Sequence, residues 1–110
     1  MYDNYYIEKP LAAGAFTSPL RVRTASSNPE GSAYNNVQEQ FIGDYIDIAA
    51  GPTTSTVVWT DARDASLCKA VSDYRAAVYA GSKTAVAPNP DVACATSFGN
   101  TDTYAGIVGQ

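Results

Sequence analysis

Asp44, Tyr45, Asp61 and Arg63 are the residues whose types and spacing allow chemistry in this chain. A carboxylate can take or deliver a proton, a phenol whose pKa is lowered from about 10 can attack as a nucleophile, and a guanidinium can grip an anion through two parallel hydrogen bonds. The four lie at the two ends of one stretch, QFIGDYIDIAAGPTTSTVVWTDAR, residues 40–63. Residues 41–50 and 56–60 are rich in aromatic and β-branched side chains, and Gly51-Pro52-Thr53-Thr54 between them is turn chemistry, so the stretch reads as a β-hairpin. An antiparallel hairpin brings Gly43-Asp44-Tyr45 beside Asp61-Ala62-Arg63 at its open end. A turn centred between Thr53 and Thr54 sets Asp44 opposite Arg63, and one centred on Thr53 sets Tyr45 opposite Asp61.

Plainer roles stand beside these. Strand-end aspartates such as Asp44 and Asp61 commonly accept backbone N–H groups in turns, Arg63 can serve as their ion-pair partner, and Tyr45 and Trp59 can be packing residues. Asp44, Asp47, Asp61 and Asp64 together offer oxygen ligands for Ca²⁺, although their spacing matches no known loop geometry.

The elements that must position this end follow in order. Residues 2–8 (YDNYYIE) read as a short strand ended by Lys9-Pro10, and residues 20–24 (LRVRT) alternate with period two as an edge strand bearing exposed Arg21 and Arg23. Residues 25–36 are a loop with a type I turn at Asn28-Pro29-Glu30-Gly31. Residues 64–72 are a polar connection, and residues 74–80 (YRAAVYA), stopped by Gly81-Ser82, have strand length, with Arg75 exposed on that strand. Residues 84–100 form a second long loop, and residues 103–108 (TYAGIV) a last strand. The fold class is therefore all-β, an antiparallel meander with unequal connections.

Composition limits the partners. The chain has 110 residues, a net charge of −4, only 7 Lys plus Arg, and no histidine. That length suits one domain, residues 1–110. The charge provides no footprint for nucleic acid or an anionic membrane, and the lack of imidazole excludes Cys/His zinc sites and histidine bases. No apolar run is long enough to span a bilayer, and the opening MYDNYYIEKP lacks the character of a signal peptide, so an export signal would lie outside this sequence. Cys68 and Cys94 sit in loop-like surroundings, which favours a disulfide over two free thiols.

The segments FIGDYIDIAAGP and VVWTDAR resemble a recurring FIGDY, apolar strand, GP turn, VWTD-R segment of secreted bacterial sialidase-like proteins. These belong to the exo-alpha-sialidase β-propeller family with BNR repeats. The resemblance covers most of residues 20–80 and implies one to one and a half propeller blades with long loops. Residues 1–24 would supply outer strands of the preceding blade, and residues 37–110 the last blade with a disulfide-tied loop. It further implies a secreted parent that hydrolyses or binds sialylated or related glycans, with Asp44, Tyr45, Asp61 and Arg63 as the candidate catalytic set and no cofactor. Its partners would be a glycan or glycoconjugate, and either the rest of the propeller or a second copy. The family's Asp box is absent, and only Arg63 of its three arginines stands at a matching strand end, so the isolated chain is expected to be inactive. The alternative is a non-catalytic secreted β-domain that binds glycan or protein through its loops.

Overall fold

The second hairpin strand is the axis of the molecule. It is β4 in chain order (Thr54–Asp61), and strict alternation buries Ser55, Val57, Trp59 and Asp61 on one face. Its β-branched residues suit the pleat. The computed structural model describes residues 1–12, 14–22, 25–33, 37–43 and 46–109. Strand β3 (Asp47–Ala50) pairs antiparallel with one edge of β4, and β5 (Asp102–Gly109) pairs along the whole of the other. Gly51 N–H closes the hairpin on Thr54 O at 2.7 Å. Strands β1 (Tyr5–Tyr6) and β2 (Leu20–Arg21) form a second antiparallel sheet, extended by a bridge between Tyr2 and Ser27. Sheet thus predominates among the regular elements, in two antiparallel sheets with few helices.

The small sheet covers the buried face of β4. Tyr6 packs with Val57, Trp59 and Val108, joined by Val22 and Tyr104. Gly106 permits this, since a Cβ there would lie 2.8 Å from the Val22 carbonyl oxygen and 3.3 Å from the Trp59 ring.

Several sequence expectations are corrected. Residues 74–80 are no strand; they fall in and just past the second half of α1 (Lys69–Tyr79), which starts inside the expected polar connection. The helix stops at a Schellman motif, in which Gly81 takes φ 88° and the Gly81 and Ser82 N–H groups donate to Val78 O and Ala77 O. The Gly-Ser pair is a helix cap. Arg75 is correspondingly buried, 2% exposed, because i, i+4 spacing turns it inward with Val71. Its guanidinium donates to the carbonyls of Glu30, Ser32, Val37 and Glu39 at 2.6–3.0 Å, clamping the connection that leads into the hairpin. The hairpin adopts neither expected register. Asp47 faces Val58, which centres the turn between Pro52 and Thr53, and the described part of the first strand begins only at Asp47.

The disulfide is present. Cys68, at the start of α1, is bonded to Cys94, at the end of the one-turn helix α2 (Pro90–Ala93), with Cα atoms 5.2 Å apart. Around it a second small core gathers Val37, Cys68 and Val71 against Tyr74 and Phe98. With two modest cores the molecule is elongated, 59 × 28 × 18 Å, and its radius of gyration of 18.0 Å exceeds the roughly 13 Å of a compact chain this long. No helix among the described residues is long and apolar enough to cross a membrane.

Candidate functional site

The site grows from the end of β4. Asp61 is the last residue of the strand and 1% exposed, on the same face as Trp59 two residues earlier. Its carboxylate accepts the Trp59 indole N–H at 3.1 Å, the Arg63 backbone N–H at 2.8 Å and the Arg63 guanidinium at 2.7 Å. Ser27 adds its hydroxyl, whose oxygen also accepts the Ala62 N–H at 2.8 Å. Burial alone would raise the Asp61 pKa, but these donors, Arg63 and Ser27 foremost, outweigh it and hold the carboxyl far below its usual range. A carboxylate so saturated keeps no lone pair for a substrate proton.

Arg63 is fixed from two sides. The Asp61 carboxylate holds one edge of the guanidinium and raises its pKa, and the Tyr104 ring lies beneath it with the guanidinium carbon 4.1 Å from the centroid. Tyr104 comes from β5, where it pairs with Trp59 across the sheet, and the two rings are near-parallel with centroids 6.5 Å apart. Its phenol donates to the Asp64 carboxylate, and that hydrogen bond raises the phenol pKa. The tyrosine–carboxylate pair here is therefore a protonated phenol and an exposed acid, the reverse of an activated nucleophile.

Behind Trp59 lies a cavity of about 200 Å³, lined by Tyr2, Asn4, Ile42, Gly43, Ile46, Trp59 and Thr60. The Tyr2 hydroxyl donates to Thr60 O at 2.8 Å, tying the amino-terminal segment to β4 at its rim. The indole serves both places, its N–H on Asp61 and its ring on the cavity.

Of the four residues singled out by their chemistry, Asp61 and Arg63 stand together, while Asp44 and Tyr45 lie outside the described residues. Asp64, considered above only as a calcium ligand, joins them through Tyr104. Among the described residues no group of three or more acidic or cysteine side chains is gathered to hold a metal ion. Asp47 instead accepts the Ile48 N–H at 2.7 Å. Tyr104 and Asn4 bear no local mark of function. Only the pairing of the TYAGIV strand with β4, and the fold of the small sheet over it, brings them to the site. No family model, curated protein or solved structure matches the chain.

Proposed function

We propose that this chain is part of a secreted sialidase-like β-propeller and that its own contribution is to bind glycan, without turnover. The observation carrying the second half is Asp61, buried and satisfied by four donor groups, beside a tyrosine held protonated by Asp64. Glycoside hydrolysis needs one carboxyl to deliver a proton and a second group to attack. Here neither Asp61 nor Tyr104 is free to do so. The first half is supported by the resemblance of residues 41–63 and by the antiparallel succession β3–β4–β5, which has the order of a blade meander. Arg63, clamped and partly exposed, supplies a fixed cation next to Tyr104 and Asp64, a surface suited to hydroxyl and carboxylate groups of a sugar.

The test combines a fluorogenic sialoside with direct binding. The purified chain should give no turnover, bind a sialylated oligosaccharide weakly, and lose several-fold affinity in Arg63→Ala. Turnover abolished by Arg63→Ala would overturn the binding reading in favour of catalysis, and absence of any glycan binding would overturn it altogether.

A further inference from the structure

We propose that the bridge between Cys68 and Cys94 is a site of thiol–disulfide exchange, at which a small thiol bearing an ammonium group becomes joined to Cys94 and frees Cys68. Access to the two residues is unequal. Cys68 is 4% exposed, packed with Val37 and Val71 in the second core, whereas Cys94 is half-buried at the margin of that core. A cavity of about 190 Å³, lined by Pro90, Asp91, Cys94, Ala95, Thr96 and Phe98, opens against Cys94, and Cys68 takes no part in its lining. Exchange requires an incoming thiolate to reach a sulfur, so the fold directs it to Cys94.

The leaving group is provided for. Cys68 is the N-cap residue of α1, and its side chain makes no capping hydrogen bond. The Ala70 and Val71 N–H groups are the ones that a capping side chain ordinarily takes. A disulfide sulfur is a weak acceptor for them, and a thiolate at a helix N-terminus is a good one. Burial among apolar side chains opposes the negative charge, and these N–H groups offset that cost. The step balances as the exchange of one disulfide for another. The incoming thiolate sulfur bonds to Cys94 Sγ as the Cys68–Cys94 bond breaks, and the electron pair departs on Cys68 Sγ, where the first turn of α1 receives it. In reverse, the Cys68 thiolate attacks Cys94 Sγ and expels the small thiol.

The segment that follows Cys94 is held without the bridge. Ser66 N–H donates to Ser97 O at 3.3 Å, the two serine hydroxyls are hydrogen-bonded at 2.6 Å, and Gly99 N–H donates to Gly31 O at 2.7 Å. Cys94 therefore stays near Cys68 after the bridge opens, and the exchange runs back without unfolding. The cavity also sets the class of thiol. Its volume is several times the roughly 30 Å³ share of one water, which is room for a molecule of a few heavy atoms. Asp91 is the charged residue of its lining, and the chain carries −4 overall, so a carboxylate-bearing thiol is repelled and an ammonium group is drawn in.

The test is reaction of the oxidised chain with cysteamine at mildly alkaline pH, quenched early with N-ethylmaleimide and mapped by peptide mass spectrometry. Cysteamine should be found on Cys94 and maleimide on Cys68 in roughly nine of ten modified chains, and the urea-unfolded chain should give near-equal shares. An unquenched sample should keep its native circular dichroism and Trp59 fluorescence, and should re-form the bridge once excess cysteamine is removed. Ala95→Phe, which fills the cavity from its exposed side, should slow the reaction about tenfold in a chain with native circular dichroism. Relative to their rates on the unfolded chain, cysteamine should outpace thioglycolate, and Asp91→Asn should narrow that gap about two- to fourfold, the effect of one charge several ångströms away in water. Cysteamine shared equally between the cysteines, or concentrated on Cys68, would overturn the assignment. So would a bridge that opens only as Trp59 fluorescence reports unfolding, or an unchanged rate in Ala95→Phe. Thioglycolate reacting as fast as cysteamine on that scale, or an unchanged gap in Asp91→Asn, would overturn the choice of an ammonium-bearing thiol.

Discussion

At the scale of single residues, Asp61 and Arg75 dominate, and both are charges buried for structural reasons. Asp61 is ionised in the fold and held below its ordinary pKa, so its contribution is complete above about pH 4 and is lost as pH falls toward the folded value. Asp61→Asn should therefore cost about 2–4 kcal/mol at neutral pH and flatten the loss of stability between pH 5 and pH 2, measured by urea unfolding at each pH. Arg75 works differently. Burial lowers its pKa, and its donors go to backbone carbonyls. Arg75→Lys cannot reproduce that fan of contacts. It should lose nearly as much stability as Arg75→Ala, about 3 kcal/mol, and both should raise hydrogen exchange across residues 30–33 and 37–40.

At the scale of elements, two glycines separate backbone strain from close approach. Gly81 occupies a left-handed conformation with open space around it, so Gly81→Ala should cost about 1 kcal/mol through backbone strain alone. Gly106 lies where β2 runs on over the Trp59 ring, and Gly106→Ala should cost more, about 1–3 kcal/mol, and quench or shift Trp59 fluorescence as the small sheet is pushed away. Thermal unfolding of the two variants checks the order. β4, the turn after β3, the last strand and the disulfide were legible because period-two patterns, Gly-Pro and paired cysteines are local signals. The helix α1 was not, because only Val71 and Arg75 are fully buried on it and a buried arginine reads as exposed in any hydrophobic pattern. The Arg63 half of the site was legible from the DAR motif. Its Tyr104 half was not, since it depends on pairing between strands separated by α1 and α2.

At the scale of the molecule, the small sheet covers one face of the main sheet among the described residues, and β3 and β5 form its edges. Ile107, opposite Thr56 on the far face, is 76% exposed, and Ile48, opposite Val57 on the edge strand β3, is 52% exposed. Such a face and such edges favour association, with neighbouring blades in the proposed parent and with other copies in the isolated chain. Sedimentation should accordingly show a concentration-dependent increase in mass that Ile107→Lys suppresses. The bridge between Cys68 and Cys94 has a bearing on speed as well. About forty residues separate the end of β4 from the start of β5, and the bridge cuts out the twenty-five or so between the cysteines. The loop that must close before these strands meet is then about fifteen residues long, which by chain statistics lowers the closure cost by about 0.9 kcal/mol. The oxidised chain should therefore refold about fourfold faster than the reduced one in stopped-flow fluorescence of Trp59, and the β4–β5 ladder should form late in the reduced chain. A protein with this layout gains its longest strand pairing sooner when its cysteines are oxidised first.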